Sequence, residues 1–163
     1  TASQVILVTG CSSGIGRATA LEAVRRGHRV FASARNRSDL AELERRDNLT
    51  ALCLDVTDPA SVRAAVDLVL SRAGRLDIVV NNAGGPPPGT FESTPDEAWA
   101  DAFELSLRSV VRLTRLALPH LRVVHARVLI IAERMAIGGA SAGKPWKWCR
   151  NDSCSGACAA NRP

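Results

Sequence analysis

TGCSSGIG, from Thr9 to Gly16, stands between a short apolar run and a stretch with helical periodicity. The run before it, residues 5–8, is aliphatic and largely β-branched, which is typical of a strand buried on both faces of a parallel sheet. After it, residues 18–24 carry apolar side chains at helical spacing, and Gly27 provides a C-cap. The quoted stretch is therefore predicted to turn the chain from a buried strand into a helix.

The three glycines of this turn are spaced G-x3-G-x-G. An anionic pyrophosphate needs backbone N–H groups that point at it, a helix N-terminus behind it and no side chains in the way. Gly10 permits the sharp turn, Gly14 permits close approach of the ligand, and Gly16 lets the helix lie against the strand. Because the flanking strand and helix supply the required context, we expect a nucleotide phosphate site here. The alternative is a glycine-rich turn without a ligand.

Strand-like and helix-like segments alternate along the rest of the chain. Asp58 and Pro59 open one helix, and residues 94–97 read as a capping box at the start of a long one. Strands that alternate with helices of this length predict an α/β fold, a doubly wound parallel sheet of the Rossmann, NAD(P)-binding type, incomplete at its C-terminal edge. The predicted strands are residues 5–8, 29–34, 49–54, 76–80 and 127–131, and the predicted helices cover residues 18–24, 38–43, 59–70 and 95–118.

A single domain is expected from the length of 163 residues. We assign residues 1–137 to the Rossmann nucleotide-binding domain and residues 138–163 to an irregular tail, because neither strand nor helix periodicity continues there. Cys149, Cys154 and Cys158 in the tail lack the paired spacing and the fourth ligand of a zinc site. No metal site is therefore predicted.

The formal net charge is +5, and the excess is concentrated from Lys144 onward. No predicted helix carries a basic stripe with interleaved aromatic residues, so nucleic acid is not expected as a partner. The apolar stretches are too short to cross a bilayer, and the first residues do not resemble a signal peptide. Cys11 and Cys53 are interpreted as free thiols, and we expect a cytoplasmic protein that binds no membrane.

Three motifs resemble those of the short-chain dehydrogenase/reductase family. The family's T-G-x3-G-I-G pattern matches residues 9–16, its N-N-A-G pattern matches residues 81–84, and Asp55-Val56 is similar to its contact with the adenine ring. The resemblance covers roughly residues 4–131, and it implies hydride transfer between a nicotinamide cofactor and a carbonyl or secondary alcohol. The implied cofactor-binding residues are Gly10, Ser12, Ser13, Gly14, Ile15, Gly16, Arg35, Asp55, Val56, Asn82, Ala83 and Gly84.

Residues 33–36, Ser-Ala-Arg-Asn, bear on the choice of cofactor. An NAD enzyme places Asp or Glu at the end of strand two to bind the ribose hydroxyls, and that carboxylate would repel a 2′-phosphate. Here no acid occurs before Asp39, and Arg35 resembles the family's 2′-phosphate clamp. Arg37 and Ser13 can assist it. The alternative is that Arg35 is a solvated surface residue, but the pattern favours NADP(H) over NAD(H).

The catalytic residues that the resemblance implies are incomplete. The family uses a tyrosine as proton donor, a lysine four residues later, a serine after strand five and an asparagine in the long helix. Ser106 stands at the asparagine position, Glu133 follows strand five in place of the serine, and the chain has no tyrosine. Two alignments of the tyrosine position place Trp146 or Gly143 there. Neither side chain can transfer a proton.

Three interpretations remain open. The chain is a fragment or frame-disrupted form of an oxidoreductase, changed after about residues 137 to 143; or a non-catalytic NADP(H)-binding protein, a pseudoenzyme; or an enzyme that uses an unusual donor or a partner chain. An active form would act on a small-molecule carbonyl or alcohol. The resemblance also implies a homodimer paired through the long helix. Five other polar residues are interpreted as structural, as caps or as solvated charges: His120, His125, Asp77, Asp96 and Glu97.

Overall fold

The computed structural model of the chain describes residues 2–87, 93–123 and 127–132. Its strands are β1 (Val5–Val8), β2 (Arg29–Ala34), β3 (Leu49–Cys53), β4 (Ile78–Asn81) and β5 (Arg127–Ile130). Its α-helices are α1 (Gly14–Arg25), α2 (Pro59–Ala73), α3 (Asp96–Phe103) and α4 (Ser109–Val123). Two short 3₁₀ turns (Arg37–Leu40 and Leu43–Arg45) lie between β2 and β3, and a π-helical segment (Glu104–Arg108) joins α3 to α4.

The five strands form one parallel sheet in the order β3-β2-β1-β4-β5. From β1 the chain winds outward to β2 and β3, and it then crosses back to β4 and β5 on the other side. Val8, at the end of the central strand, pairs with Ala32 on one side and with Val80 on the other. The predicted α/β doubly wound fold is thus confirmed, and its topological switch point lies between β1 and β4.

Helices cover both faces of the sheet because the strand residues alternate between two cores. Leu7, Phe31 and Val79 point to the face covered by α2 and α4. Ile6 and Val8 point to the opposite face, which is covered by α1 and the 3₁₀ turns. Burial on both faces explains why β1 is an uninterrupted aliphatic run rather than an alternating one.

Two helix ends follow the sequence signals that predicted them. Gly27, with φ +83°, ends α1: its N–H donates to Val24 O at 2.8 Å and the next N–H, of His28, donates to Ala23 O at 3.1 Å. Asp58 caps α2 by accepting from the backbone N–H groups of Ala60 and Ser61. Gly27 thus fixes where α1 ends, and Asp58 fixes where α2 begins.

Two predicted helices are corrected. Residues 38–43 were expected as one helix, but two separate 3₁₀ turns occupy this stretch, because only Leu40 and Leu43 are buried there, too few to form the apolar stripe of a helix. The long helix does not end before Pro119 but continues to Val123, and the π-helical segment interrupts its α-helical hydrogen bonding.

Asp77 is buried, so the expectation that it is a cap or a solvated charge is wrong. Its side chain is buried, accepts a hydrogen bond from the N–H of Val5 at 2.8 Å, and pairs with the guanidinium of Arg75. The hydrogen bond between the Arg75 and Asp77 side chains, together with the charge of Asp77, raises the pKa of Arg75 above its usual value. Asp77 therefore ties the start of β4 to the start of β1, at the sheet edge opposite the glycine-rich turn.

All four residues of β5 are exposed, in agreement with a sheet that is incomplete at this edge of the described structure. Val128, Leu129 and Ile130 are the apolar residues concerned. The tail assigned to residues 138–163 lies outside the described residues, and the division at residue 137 stays a prediction. Among the helices of the described ranges, none is both long and apolar enough to cross a membrane.

Candidate cofactor-binding site

Thr9 joins the glycine-rich turn to the chain that follows β4. Its N–H donates to Val80 O at 3.0 Å, and its hydroxyl oxygen accepts from the N–H groups of Asn82 and Ala83, both at 2.9 Å. The hydroxyl also donates to Val80 O at 3.3 Å. Thr9 was part of the quoted motif but was not predicted as a site residue, because its role depends on a loop more than 70 residues away.

The side chain of Asn82 completes this junction from the opposite side. Its Nδ2 donates to the carbonyl oxygens of Thr9 at 2.9 Å and of Gly10 at 3.0 Å. Both carbonyls at the start of the turn are therefore satisfied within the protein. Asn81, by contrast, is buried and donates to Thr114 Oγ1 at 3.4 Å, so it ties β4 to α4 rather than facing the turn.

Each glycine of the turn meets a different steric requirement. Gly10 has φ +71°, and a Cβ there would lie 2.9 Å from Ala83 Cα. Gly14 has φ +58° and open space around the position of a Cβ. At Gly16 a Cβ would collide with Asn82 Nδ2 and with Gly10 O. The turn is thus sharp at Gly10, open to a ligand at Gly14, and closed against the protein at Gly16.

The open side of the turn presents the N-terminus of α1. Ser12, Ser13, Gly14 and Ile15 are all exposed, and α1 begins at Gly14. The first N–H groups of a helix have no partners within the helix, and this end carries the positive part of the helix dipole. A pyrophosphate fits this cradle, because it would meet backbone donors and no intruding Cβ.

Cys11 lies beneath the turn rather than in the site. Its thiol is buried and donates to Val8 O at 3.4 Å and to Gly16 O at 3.6 Å. Burial raises its pKa to about 11, so the thiol is neutral and unreactive at physiological pH. Cys53 is exposed, and its thiol donates to the carbonyl oxygen of Arg35 at 2.9 Å. Both cysteines are free thiols, as predicted.

The adenine end of the predicted site lies where β2 and β3 finish side by side, since Ala34 pairs with Cys53. Arg35 follows β2 and is exposed, while Asp55 follows β3 and is half-buried. Hydrogen bonds from the hydroxyl and the N–H of Thr57 hold the pKa of Asp55 below its usual value, and the nearby charge of Arg35 adds to this effect. Asp55 is therefore an ionised acceptor beside Arg35.

Val56 does not offer its side chain to a ligand. The side chain is buried in the core between the sheet and α2, and its carbonyl oxygen accepts from Arg112 Nη1 at 3.0 Å. The predicted role of Val56 is therefore limited to its main chain. Arg112 is a site-supporting residue that the sequence reasoning did not identify, because nothing local connects it to a residue 56 positions earlier.

Ser106 lies at the same edge of the sheet as the glycine-rich turn. It is exposed within the π-helical segment, and a Cβ built on Gly84 would lie 3.6 Å from its hydroxyl oxygen. The structure therefore brings Ser106 next to the Asn82-Ala83-Gly84 loop. Glu133 and both alternative tyrosine positions lie outside the described residues.

A sequence model described as short chain dehydrogenase matches residues 4–137. The chain belongs to the short chain dehydrogenase family. It is 46% identical over 121 residues to the candidate ketoacyl reductase of a monensin polyketide synthase from Streptomyces virginiae, covering 71% of this chain and 46% of that protein. This family member spans about half the length of the curated relatives it matches.

Solved structures agree with this membership. A short-chain dehydrogenase from Streptomyces avermitilis superposes with a TM-score of 0.74 at 41% identity, over 79% of this chain and 49% of that one. An actinorhodin polyketide ketoreductase crystallised with NADPH gives a TM-score of 0.71 at 36% identity, over 80% and 53%. A 3-ketoacyl-(acyl-carrier-protein) reductase from Brucella melitensis, complexed with NADH, gives a TM-score of 0.73 at 28% identity, over 79% of this chain and 57% of that one.

In the described parts of this dehydrogenase-family chain, no three His, Cys, Asp or Glu side chains come together as metal ligands. The polar groups at the carboxyl edge of the sheet include backbone N–H groups, the guanidinium of Arg35, the carboxylate of Asp55 and the hydroxyl of Ser106. This set suits an anionic, hydrogen-bonding ligand rather than a metal ion.

Substitution of Gly16 by alanine should destabilise the protein more than the same substitution at Gly85. The new Cβ would collide with backbone and with a side chain that is already hydrogen-bonded, so we expect a loss of about 1–3 kcal/mol in the free energy of unfolding. Urea denaturation of the wild-type chain and of Gly16→Ala measures it.

Gly85→Ala is the matched control, because a Cβ there has nothing within 4 Å and the backbone needs no positive φ. It should change the free energy of unfolding by no more than about 0.5 kcal/mol. Equal stability of the two variants would contradict the packing of α1 against Asn82.

Proposed function

We propose that this chain is the NADP(H)-binding part of an oxidoreductase that transfers hydride between NADP(H) and a carbonyl or secondary alcohol. The observation that carries the proposal is the cradle formed by Gly10, Gly14 and Gly16 at the switch point of the sheet, with Arg35 beside it. The relatives that match the chain include ketoreductases with bound NADPH or NADH.

The chain's own residues would divide the cofactor between them. The N–H groups at the start of α1 would hold the pyrophosphate, and Asp55 with the main chain of Val56 would face the adenosine. Ala83 and Gly84 are small, so they would let the nicotinamide half pass close to the backbone. NADP(H), when bound, supplies the hydride or accepts it. The protein's part is to bind and orient the cofactor at the carboxyl edge of the sheet.

The preference for NADP(H) rests on Arg35. No acidic residue stands at the end of β2 before Asp39, and the exposed guanidinium is free to form a charge-assisted contact with a 2′-phosphate. Because relatives are found with either NADPH or NADH, family membership alone does not choose between the two. The proposed choice therefore depends mainly on Arg35, with Arg37 and Ser13 as the residues expected to assist it.

The chain should bind NADPH more tightly than NADH, and Arg35→Asp should abolish the difference. Loss of one charged hydrogen-bonding contact corresponds to about 1.5–3 kcal/mol, or about 10- to 100-fold in Kd for NADPH. Fluorescence titration of both cofactors against wild type and variant measures this.

Arg72→Asp makes the same change of charge in the last turn of α2, at the opposite edge of the sheet, and should leave both affinities unchanged. Equal affinities of the wild-type chain for NADPH and NADH would contradict the proposed preference for NADP(H). Equal effects of the two substitutions would show that net charge, rather than a local contact, controls binding.

The names of the similar proteins indicate a broad class of substrate. The similar proteins include ketoacyl reductases, so we propose a ketone or the corresponding alcohol as substrate of the active protein. The second candidate function is NADP(H) binding without catalysis. It is favoured by the absence of tyrosine from all 163 residues, which removes the family's proton donor from this chain.

The 163-residue chain alone should show no steady-state turnover of ketones or alcohols. Loss of a general acid typically lowers a rate by about 10²- to 10⁴-fold. A panel of carbonyl compounds with NADPH, analysed for reduced product by mass spectrometry, tests this.

The same panel of carbonyl compounds is also tested with the Ser106→Ala variant. Turnover that disappears in Ser106→Ala would identify the serine as part of an unusual catalytic set, and turnover that survives it would point to a different donor. Sequencing the source locus beyond codon 140 separates the candidates further, because a downstream frame that encodes Tyr-x-x-x-Lys would favour the disrupted oxidoreductase.

We also propose a homodimer that pairs through the long helix, in a cytoplasmic protein. Phe103, Leu107 and Val111 are 60%, 58% and 46% exposed and follow one another at intervals of four residues. Such an apolar stripe is unusual on the surface of a monomer. The free thiols of Cys11 and Cys53 fit a reducing compartment.

Leu107→Lys should weaken dimerisation by at least about tenfold, because a two-fold axis through the helix would bring two lysines together. Sedimentation velocity over a range of concentrations measures the dimer Kd. Ile130→Lys, on the exposed edge strand β5, is the control and should leave dimerisation unchanged. If it is Ile130→Lys that abolishes association, β5 is the interface and the proposed pairing is wrong.

A further inference from the structure

We infer that Arg112 is a positioning residue that holds the adenine-binding turn of the site from the long helix. The inference rests on the proposed function, since it names a residue that supports the proposed cofactor contacts of Asp55 and Val56. Arg112 lies in the first turns of α4, and its guanidinium bridges two groups that belong to different parts of the chain.

The guanidinium uses two nitrogens for two acceptors. Nη1 donates to the carbonyl oxygen of Val56 at 3.0 Å, and Nη2 donates to Glu104 Oε1 at 2.6 Å. The side chains of Arg112 and Glu104 are only 21% and 26% exposed, so solvent screens this pair less than a surface ion pair. Glu104 fixes the guanidinium, and the guanidinium fixes the carbonyl.

The π-helical segment makes this alignment possible. In a regular α-helix, residues eight apart are separated by about 80° around the axis, because each residue turns the chain by about 100°. A π turn accommodates one extra residue, and Ser109 N–H bonds to Glu104 O five residues earlier. Glu104 and Arg112 are therefore placed much as residues seven apart would be, on the same stripe of the helix.

The other hydrogen bonds described here that hold residues 55–57 come from nearby residues along the chain. Asp55 Oδ1 accepts from Thr57 N–H and hydroxyl at 2.9 and 2.7 Å, and Asp55 N–H donates to Ser61 Oγ at 3.0 Å. All of these contacts join residues within six positions of one another. The bond from Arg112 is a long-range hydrogen bond to this turn, and together with the buried Val56 side chain it sets where residues 55–57 lie relative to the rest of the site.

The same bridge connects the two ends of the site. Glu104 begins the π-helical segment that carries Ser106, and Ser106 lies beside Gly84. Arg112 thus links the turn that would face adenine to the segment that would face the substrate. Loss of the guanidinium should loosen residues 55–57 and weaken binding of any ligand that contains adenosine.

The test measures the Kd of the full chain for adenosine 2′,5′-bisphosphate by calorimetry, together with hydrogen exchange of the amides of residues 54–58. Arg112→Ala should raise the Kd about tenfold and speed amide exchange in this turn. Arg112→Lys should have an intermediate effect, because a lysine offers a point charge without the planar fork that serves both acceptors.

Arg108→Ala is the matched control. Arg108 pairs with the same carboxylate, with its Nε 3.2 Å from Glu104 Oε2, but it is 74% exposed and has no bond to Val56 in the described structure. This variant should leave both the Kd and the exchange rates unchanged. If Arg112→Ala fails to fold, as judged by circular dichroism, Arg112→Lys carries the comparison.

A double-mutant cycle separates positioning from general destabilisation. In an Asp55→Ala background, Arg112→Ala should change the Kd less than its tenfold effect in the wild-type chain, because one of the two ligand contacts in the turn that Arg112 holds has been removed. Full additivity of the two substitutions, or faster exchange spread evenly over the protein, would overturn the inference. Failure of the wild-type chain to bind the bisphosphate would overturn the proposed function and this inference together, whereas unchanged affinity and exchange in Arg112→Ala would overturn this inference alone.

Discussion

The hydrogen bonds between Thr9 and the chain just after β4 determine where the whole site lies. The Thr9 hydroxyl accepts hydrogen bonds from the N–H groups of Asn82 and Ala83. The Asn82 side chain in turn donates hydrogen bonds to the carbonyl oxygens of Thr9 and Gly10. This reciprocal junction holds the two central loops together at the point where the strand order reverses. Because Asn82 and the Gly10 carbonyl occupy the space beside Gly16, the first turn of α1 can lie against this junction only if that residue has no side chain.

Much of the fold was predictable because its signals are local. The aliphatic run of β1, the cap of Asp58 and the glycine that ends α1 each act through residues within a few positions of one another. The glycine-rich turn was equally accessible, since its spacing is itself the signal. The geometry around these elements is consistent with the roles assigned to the glycines, while cofactor binding itself stays a prediction.

The features that escaped prediction all depend on distant contacts or on backbone geometry that side-chain type does not encode. Asp77 reads as a surface charge until β1 is placed beside β4, where its carboxylate is buried against Val5. The π-helical segment leaves no mark in the helical periodicity of residues 103–111. The bond from Arg112 to Val56 requires both the crossover from β3 to β4 and the shift in helical register. Sequence patterns identify the parts of such a site, but not the tertiary bonds that hold them in position.

The two ends of the site make separate demands on the chain. In the proposed function, binding of phosphate and adenosine would depend on backbone N–H groups, on glycines and on Arg35, all of which precede residue 85. Proton transfer at a substrate oxygen depends instead on an acid of suitable pKa, and a serine hydroxyl is a much weaker acid than a phenol, whose pKa is about 10. Ser106 can therefore orient a water or a substrate oxygen without replacing the missing phenol. Cofactor binding is thus physically separable from turnover in this chain: binding does not need the phenol, whereas turnover would need both the bound cofactor and a suitable acid.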